Sequence, residues 1–159
     1  MRAQHRCTWA FAGILCLLSS CSDGSESRET PWFPMDYALT YTEVRGCRPS
    51  GDHELNVVRV LAAPDAVSTY QDRNAPFSAG ALMLKEEYEF GDDTCSGPLQ
   101  QWTVMRKLAP ATGQETMGWE WQRVNAERQV LDETPTRCVA CHGGCGRPPD
   151  GHDGTCTIP

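Results

Sequence analysis

Ala81-Leu82-Met83-Leu84-Lys85-Glu86-Glu87-Tyr88-Glu89-Phe90 decides the fold class of this chain. Leu82, Leu84, Tyr88 and Phe90 fall on one side of an extended backbone, and Met83, Lys85, Glu87 and Glu89 on the other. Gly91-Asp92-Asp93 then breaks the run with turn chemistry. Further strands are expected on either side. Leu55-Asn56-Val57-Val58-Arg59-Val60-Leu61 is rich in β-branched residues, and Gln100 to Leu108 and Trp119 to Val124 read the same way. Trp119 and Trp121 share a face and are expected in the core. Pro64 to Tyr70 predicts a short helix with Pro64 in its first turn. Thr30 to Glu43, carrying Trp32, Phe33, Tyr37, Leu39 and Tyr41, predicts an N-terminal helix packed on the sheet. The expected class is mainly β (α+β), a small antiparallel sheet or sandwich with a few short helices.

After the last strand stands Cys138-Val139-Ala140-Cys141-His142. C-x-x-C-H is the attachment sequence for c-type haem. The two thiols add to the vinyl groups, and the adjacent histidine is delivered to the iron as a ligand. The motif predicts one covalent haem c at Cys138 and Cys141, with His142 on the iron. A zinc site of Cys138, Cys141, His142 and Cys145 has suitable ligand types, but adjacent Cys141 and His142 would have to turn to one metal.

Residues 1–20 read as an export signal. Arg2 and Arg6 form its basic start, and the apolar run from Cys7 to Leu18 is too short to span a bilayer comfortably. Leu18-Ser19-Ser20-Cys21 looks like a bacterial lipobox, which makes Cys21 the lipidated mature N-terminus; a plain secretory signal is the alternative. Ser22 next to that cysteine suggests the outer membrane. Residues 21–30 are Ser/Asp/Glu/Gly-rich and read as a flexible tether. The domain proper is residues 31–159, with a Gly/Pro/Cys-rich tail at 143–159. Covalent haem c attachment also belongs outside the cytoplasm, so signal and motif agree on a periplasm-facing location.

Loss of Arg2 and Arg6 leaves 12 basic residues against 21 acidic ones, a net charge of −9. Such a surface argues against nucleic acid and permits a basic redox partner protein. Of nine cysteines, Cys7 and Cys16 leave with the signal and Cys21 takes lipid. With Cys138 and Cys141 on haem, Cys47, Cys95, Cys145 and Cys156 allow three pairings. Cys47–Cys95 and Cys145–Cys156 are the favoured pair, each closure contributing roughly 2–4 kcal/mol.

In the order of its motifs the chain resembles the cytochrome P-460 family, which includes the β-type cytochromes c′. The matching stretches are Pro31-Trp32-Phe33-Pro34, Arg45 to His53, Phe77 to Tyr88, Thr103 to Lys107, Trp119-Glu120-Trp121 and the closing Cys138 to His142. The resemblance implies a small antiparallel β fold, one covalent haem and an iron open on its distal side. It also implies a small nitrogenous ligand: hydroxylamine, which some members oxidise, or nitric oxide, which others bind. Family members often form homodimers. The tail after His142 departs from the family pattern.

Lys85 stands where hydroxylamine-oxidising members carry a lysine bonded to the haem ring, so the resemblance implies a cross-link there. Glu86 and Glu87 are expected to hold its amine charged, and a solvated rim lysine is the alternative. His53, His152, Met35, Met83, Met105 and Met117 are chemically possible sixth ligands, although His53 and His152 fall in turns expected to be exposed. The resemblance implies no protein ligand there. Glu127, Asp132 and Glu133 are candidates for a distal proton acceptor. Arg106 and Lys107 are either propionate partners or a solvated strand end. Three roles stay open: a hydroxylamine-oxidising oxidoreductase, a nitric-oxide-binding protein and an electron carrier.

Overall fold

The computed structural model describes residues 29–156; the expected signal, Cys21 and nearly all of the tether lie outside them. Six antiparallel strands follow one another across a single sheet in chain order. They are β1 (Thr42–Pro49), β2 (Val57–Ala62), β3 (Leu82–Tyr88), β4 (Leu99–Lys107), β5 (Trp119–Asn125) and β6 (Val130–Glu133). Three short helices accompany them: α1 (Tyr37–Thr40), α2 (Val67–Asp72) and α3 (Thr136–Cys145). The mainly β, α+β expectation holds, and the architecture is a sheet covered on both faces. This explains why β2 and β3 bury residues on both sides instead of alternating cleanly.

Local backbone chemistry moves the strand limits. Glu54 and Leu55 have φ of 58° and 68°, so β2 starts at Val57 and not at Leu55. β3 stops at Tyr88 because a turn follows, in which the Asp92 amide donates to the Glu89 carbonyl. Phe90 is therefore left 68 % exposed instead of joining the face of Leu82 and Leu84.

The helix expected over Thr30 to Glu43 reduces to the single turn of α1, and the chain then enters the unforeseen edge strand β1. Pro31 and Pro34 cannot donate backbone hydrogen bonds, and each disfavours the helical region for the residue before it. Aromatic packing takes over. Phe33 lies 5.2 Å from both Tyr37 and Trp102, and Arg128 spans the Phe33 ring and donates to its carbonyl. This segment covers one face of the sheet, over Leu61, Leu84, Val104 and Val124. The opposite face carries Val60, Ala62, Met83, Met105, Trp119 and Trp121, packed against α2 and the flank of α3. Both tryptophans are fully buried, as expected.

The two favoured disulfides are formed. Cys47–Cys95 ties the β3–β4 loop to the edge strand, and Cys145–Cys156 ties the tail to the end of α3. Phe33→Ala removes the centre of the aromatic cover and should cost about 3–5 kcal/mol of unfolding free energy, measured by urea denaturation.

Candidate haem site

α3 starts after Pro135, whose backbone lies at φ −58° and ψ 135°, and it ends at Gly146. Cys138 and Cys141, three residues apart, fall on neighbouring positions of one helix face, with His142 directly behind. They are the free thiols among the described residues. Burial raises the Cys138 thiol above its ordinary pKa, against the opposing pull of Arg123 and Lys85. Cys145 is engaged with Cys156, which removes it from any zinc set, and the described residues contain no group of three His, Cys, Asp or Glu placed to hold a metal.

His142 is oriented by the tail. Its Nδ1 donates to the Gly154 carbonyl at 2.6 Å, which leaves Nε2 as the ring's lone-pair nitrogen, and the Trp121 ring lies 5.5 Å away. Asp153 anchors that tail: its carboxylate accepts from Phe77 N at 2.8 Å and Lys107 Nζ at 2.7 Å, and its carbonyl from Trp119 Nε1 at 2.6 Å. Position 154 has to be glycine. Its φ is +87°, and a Cβ there would stand 2.5 Å from Trp119 Nε1.

Opposite α3 the sheet presents a polar row. Lys85, Thr103, Arg123 and Asp132 stand at successive paired positions across β3 to β6, and all four line one open cleft with Cys138, Cys141 and His142. The cleft encloses about 1060 Å³, its solvent mouth included.

The centre of this row is a network. Glu87 accepts from His53 Nδ1 at 3.0 Å, from Gln101 at 2.8 Å and from Thr103 Oγ1, and His53 Nε2 meets Lys85 Nζ at 2.6 Å. Arg123 closes it by donating to Gln101 at 3.2 Å. Burial pushes the Glu87 carboxyl up, but the His53 bond and charge, with the Thr103 and Gln101 donors, outweigh it and hold the group down at about 2. It is a buried carboxylate.

Several expectations are corrected here. His53 is not in an exposed turn; it is largely buried between Lys85 and Glu87. Glu86 does not hold the Lys85 amine, because a period of two sends it to the other face, where Arg59, Tyr37 and Tyr88 bind it. Lys85 is half-buried in the cleft and not on a solvated strand face. Of the three acids expected near the motif, only Asp132 lines the cleft. Glu133 binds Gln122 on the far face, and Glu127 is exposed. The acid buried in the site is Glu87. Its signal was its place two residues from Lys85 on a strand, yet nothing local said that both faces would be covered. Arg106 pairs with Glu120 and stacks on Trp32, and Lys107 binds Asp153, so neither reaches the cleft. His152 does lie in a turn, bonded to the Ala75 carbonyl, and Met35 is 78 % exposed.

A family model described as Cytochrome P460 matches residues 35–146. The chain belongs to the cytochrome P460 family. Comparison with curated proteins returned no match. Haem binding comes with cytochrome P460 membership, and the residues present fit that group: two free thiols and an oriented histidine on one helix, facing a large cleft. The matched span ends at Gly146, so the Asp153–Gly154 clamp on His142 lies beyond it.

The Glu87 shift makes a pH prediction. A carboxyl held low in the folded state contributes stability that is complete above its ordinary value of about 4.5 and is lost as pH falls toward about 2. Urea unfolding measured from pH 6 to 2 should therefore show a steeper acid loss in the natural chain than in Glu87→Gln.

Proposed function

We propose that this chain is an exported, lipid-anchored mono-haem c cytochrome that oxidises hydroxylamine. In this reading Cys138 and Cys141 hold the haem by thioethers and His142 binds the iron. The observation that carries it is the pairing of the two free thiols Cys138 and Cys141, with His142 held behind them by the Gly154 carbonyl, and a polar relay, Lys85–His53–Glu87, across one cleft. The haem supplies the electron-transfer chemistry; the chain supplies orientation and proton handling.

The relay suits a dehydrogenation, which releases protons. With Glu87 ionised and accepting from His53 Nδ1, His53 Nε2 is free to receive a proton from the Lys85 side, and the imidazolium so formed lies against the carboxylate. In this reading Lys85, whose Nζ lies 2.6 Å from His53 Nε2, is the residue that would be bonded to the haem ring. Arg123 and Asp132 complete the polar wall. A cleft for nitric oxide alone has no use for a proton relay, which is why the oxidoreductase reading is preferred. A sixth protein ligand, as in an electron carrier, is disfavoured for His53 by its two existing bonds.

The anchor and location rest on the export features of residues 1–21 and on two disulfides, which suit an oxidising compartment. No helix among the described residues is long and apolar enough to cross a membrane. The acidic surface makes a basic electron acceptor the natural redox partner, in a monomer or a homodimer.

The chain made in a host that matures cytochromes c should carry haem on the Cys138–Cys141 peptide, with the Lys85 peptide attached to it by mass. Lys85→Met should keep the thioethers and return the reduced Soret band to that of ordinary haem c. His53→Gln should lower hydroxylamine kcat/KM by about 10²-fold or more. Release of an unmodified Lys85 peptide from the natural chain, without turnover, would leave nitric oxide binding as the function.

A further inference from the structure

Near the β1 edge of the sheet, two half-buried arginines have buried guanidinium nitrogens that no acceptor meets. Arg48 on β1 pairs with Val58, which itself faces Glu87 across β3, so the Arg48 side chain stands on the cleft face. Arg48 Nη2 is buried without a hydrogen-bond partner, and so are Nε and Nη2 of Arg73, the residue that caps α2. Tyr70 joins the two. Its ring lies 6.0 Å from the Arg73 guanidinium, its electrostatic influence reaches Arg48 on β1, and it lines the small cavity shared by Lys85 and His142. Arg45, whose partner Val60 is opposite Lys85, stands close enough to Arg48 to repel it. Burial and that repulsion pull Arg48 down to about 10.

Five other arginines among the described residues have acceptors. Arg59 binds Glu86, Arg106 binds Glu120, Arg123 binds Gln101, Arg128 binds the Phe33 carbonyl and Arg137 binds Glu54. A guanidinium stays charged, and a buried N–H left unmet costs about 1–3 kcal/mol, more when charged. Nε and Nη2 of Arg73 are one edge of a planar fork that suits the two oxygens of a carboxylate, and Arg48 Nη2 adds a third unmet donor.

We propose that Arg48 and Arg73, with Arg45 beside them, form a carboxylate-binding site at the β1 edge of the cleft. The carboxylate comes from the propionate side chains of the haem, an occupant that rests on the reading under Proposed function, or from free carboxylate in solution. In either case the site neutralises a cluster that the chain leaves uncompensated.

The test uses the haem-loaded protein with Arg48→Gln, Arg73→Gln and, as a charge-keeping variant that loses the fork, Arg48→Lys. Mass spectrometry first establishes the covalent haem. If propionates occupy the site, the propionate bending band in the resonance Raman spectrum shifts in all three variants. The midpoint potential falls in the two glutamine variants and less in Arg48→Lys, and acetate does not stabilise the natural protein. If free carboxylate occupies it, the Raman band is unmoved, acetate raises the natural protein's Tm beyond chloride at equal ionic strength, and the glutamine variants lose that rise. An unmoved band together with no acetate effect overturns the proposal. Absence of attached haem would sink the functional reading alone, and the acetate comparison would then decide this site by itself.

Discussion

Two buried carboxylates sit back to back in the central strand, Glu86 and Glu87, and the rest of the structure is arranged around satisfying them. An ionised carboxylate taken out of water is strongly unfavourable unless donors surround it. Because adjacent strand residues point to opposite faces, each needs its own set. Arg59, Tyr37 and Tyr88 serve Glu86 on one side; His53, Gln101 and Thr103 serve Glu87 on the other. The first set locks the N-terminal aromatic cover onto the sheet, since Tyr37 also accepts from Trp102. The second builds the wall of the cleft. One strand thus couples the stability of the fold to the chemistry of the site.

α3, the helix of the candidate haem site, is held from behind in the same way. α3 has no buried residue of its own, and its position depends on Cys138 and Val139 packing at the rim of the core and on the tail returning across it. Asp153 draws that tail down onto Lys107, Phe77 and Trp119, and Gly154 can then offer its carbonyl to His142. The residues after Gly146, outside the span matched by the cytochrome P460 family, are therefore part of the candidate site in this chain.

Much of this was legible from local chemistry. The alternation of Leu82 to Tyr88 and the β-branched run of Val57 to Leu61 announced strands. The spacing of Cys138, Cys141 and His142 pointed to haem, the group that family membership also implies, and of three possible disulfide pairings the favoured one is formed. What failed shared one cause. Phe90, Leu55 and the N-terminal helix were misread where a turn, a left-handed residue or a proline outweighed the apolar pattern. His53, Glu87, Arg48 and Arg73 were read as exposed or passed over, because a polar residue on a strand or turn looks solvated until something is known to cover it.

The sequence by itself determined the β class and offered the C-x-x-C-H spacing of Cys138, Cys141 and His142, since both depend on residue type and short-range pattern; it favoured one disulfide pairing of three, and the tertiary structure settled that choice by bringing Cys47 to Cys95 across 48 residues. Only the tertiary structure decided which carboxylate enters the cleft, that His53 stands between Lys85 and Glu87 across 32 and 34 residues of chain, and that Gly154 orients His142. Those choices depend on strand register and on which face is covered. Both are set by the packing of distant segments, and no local pattern encodes them.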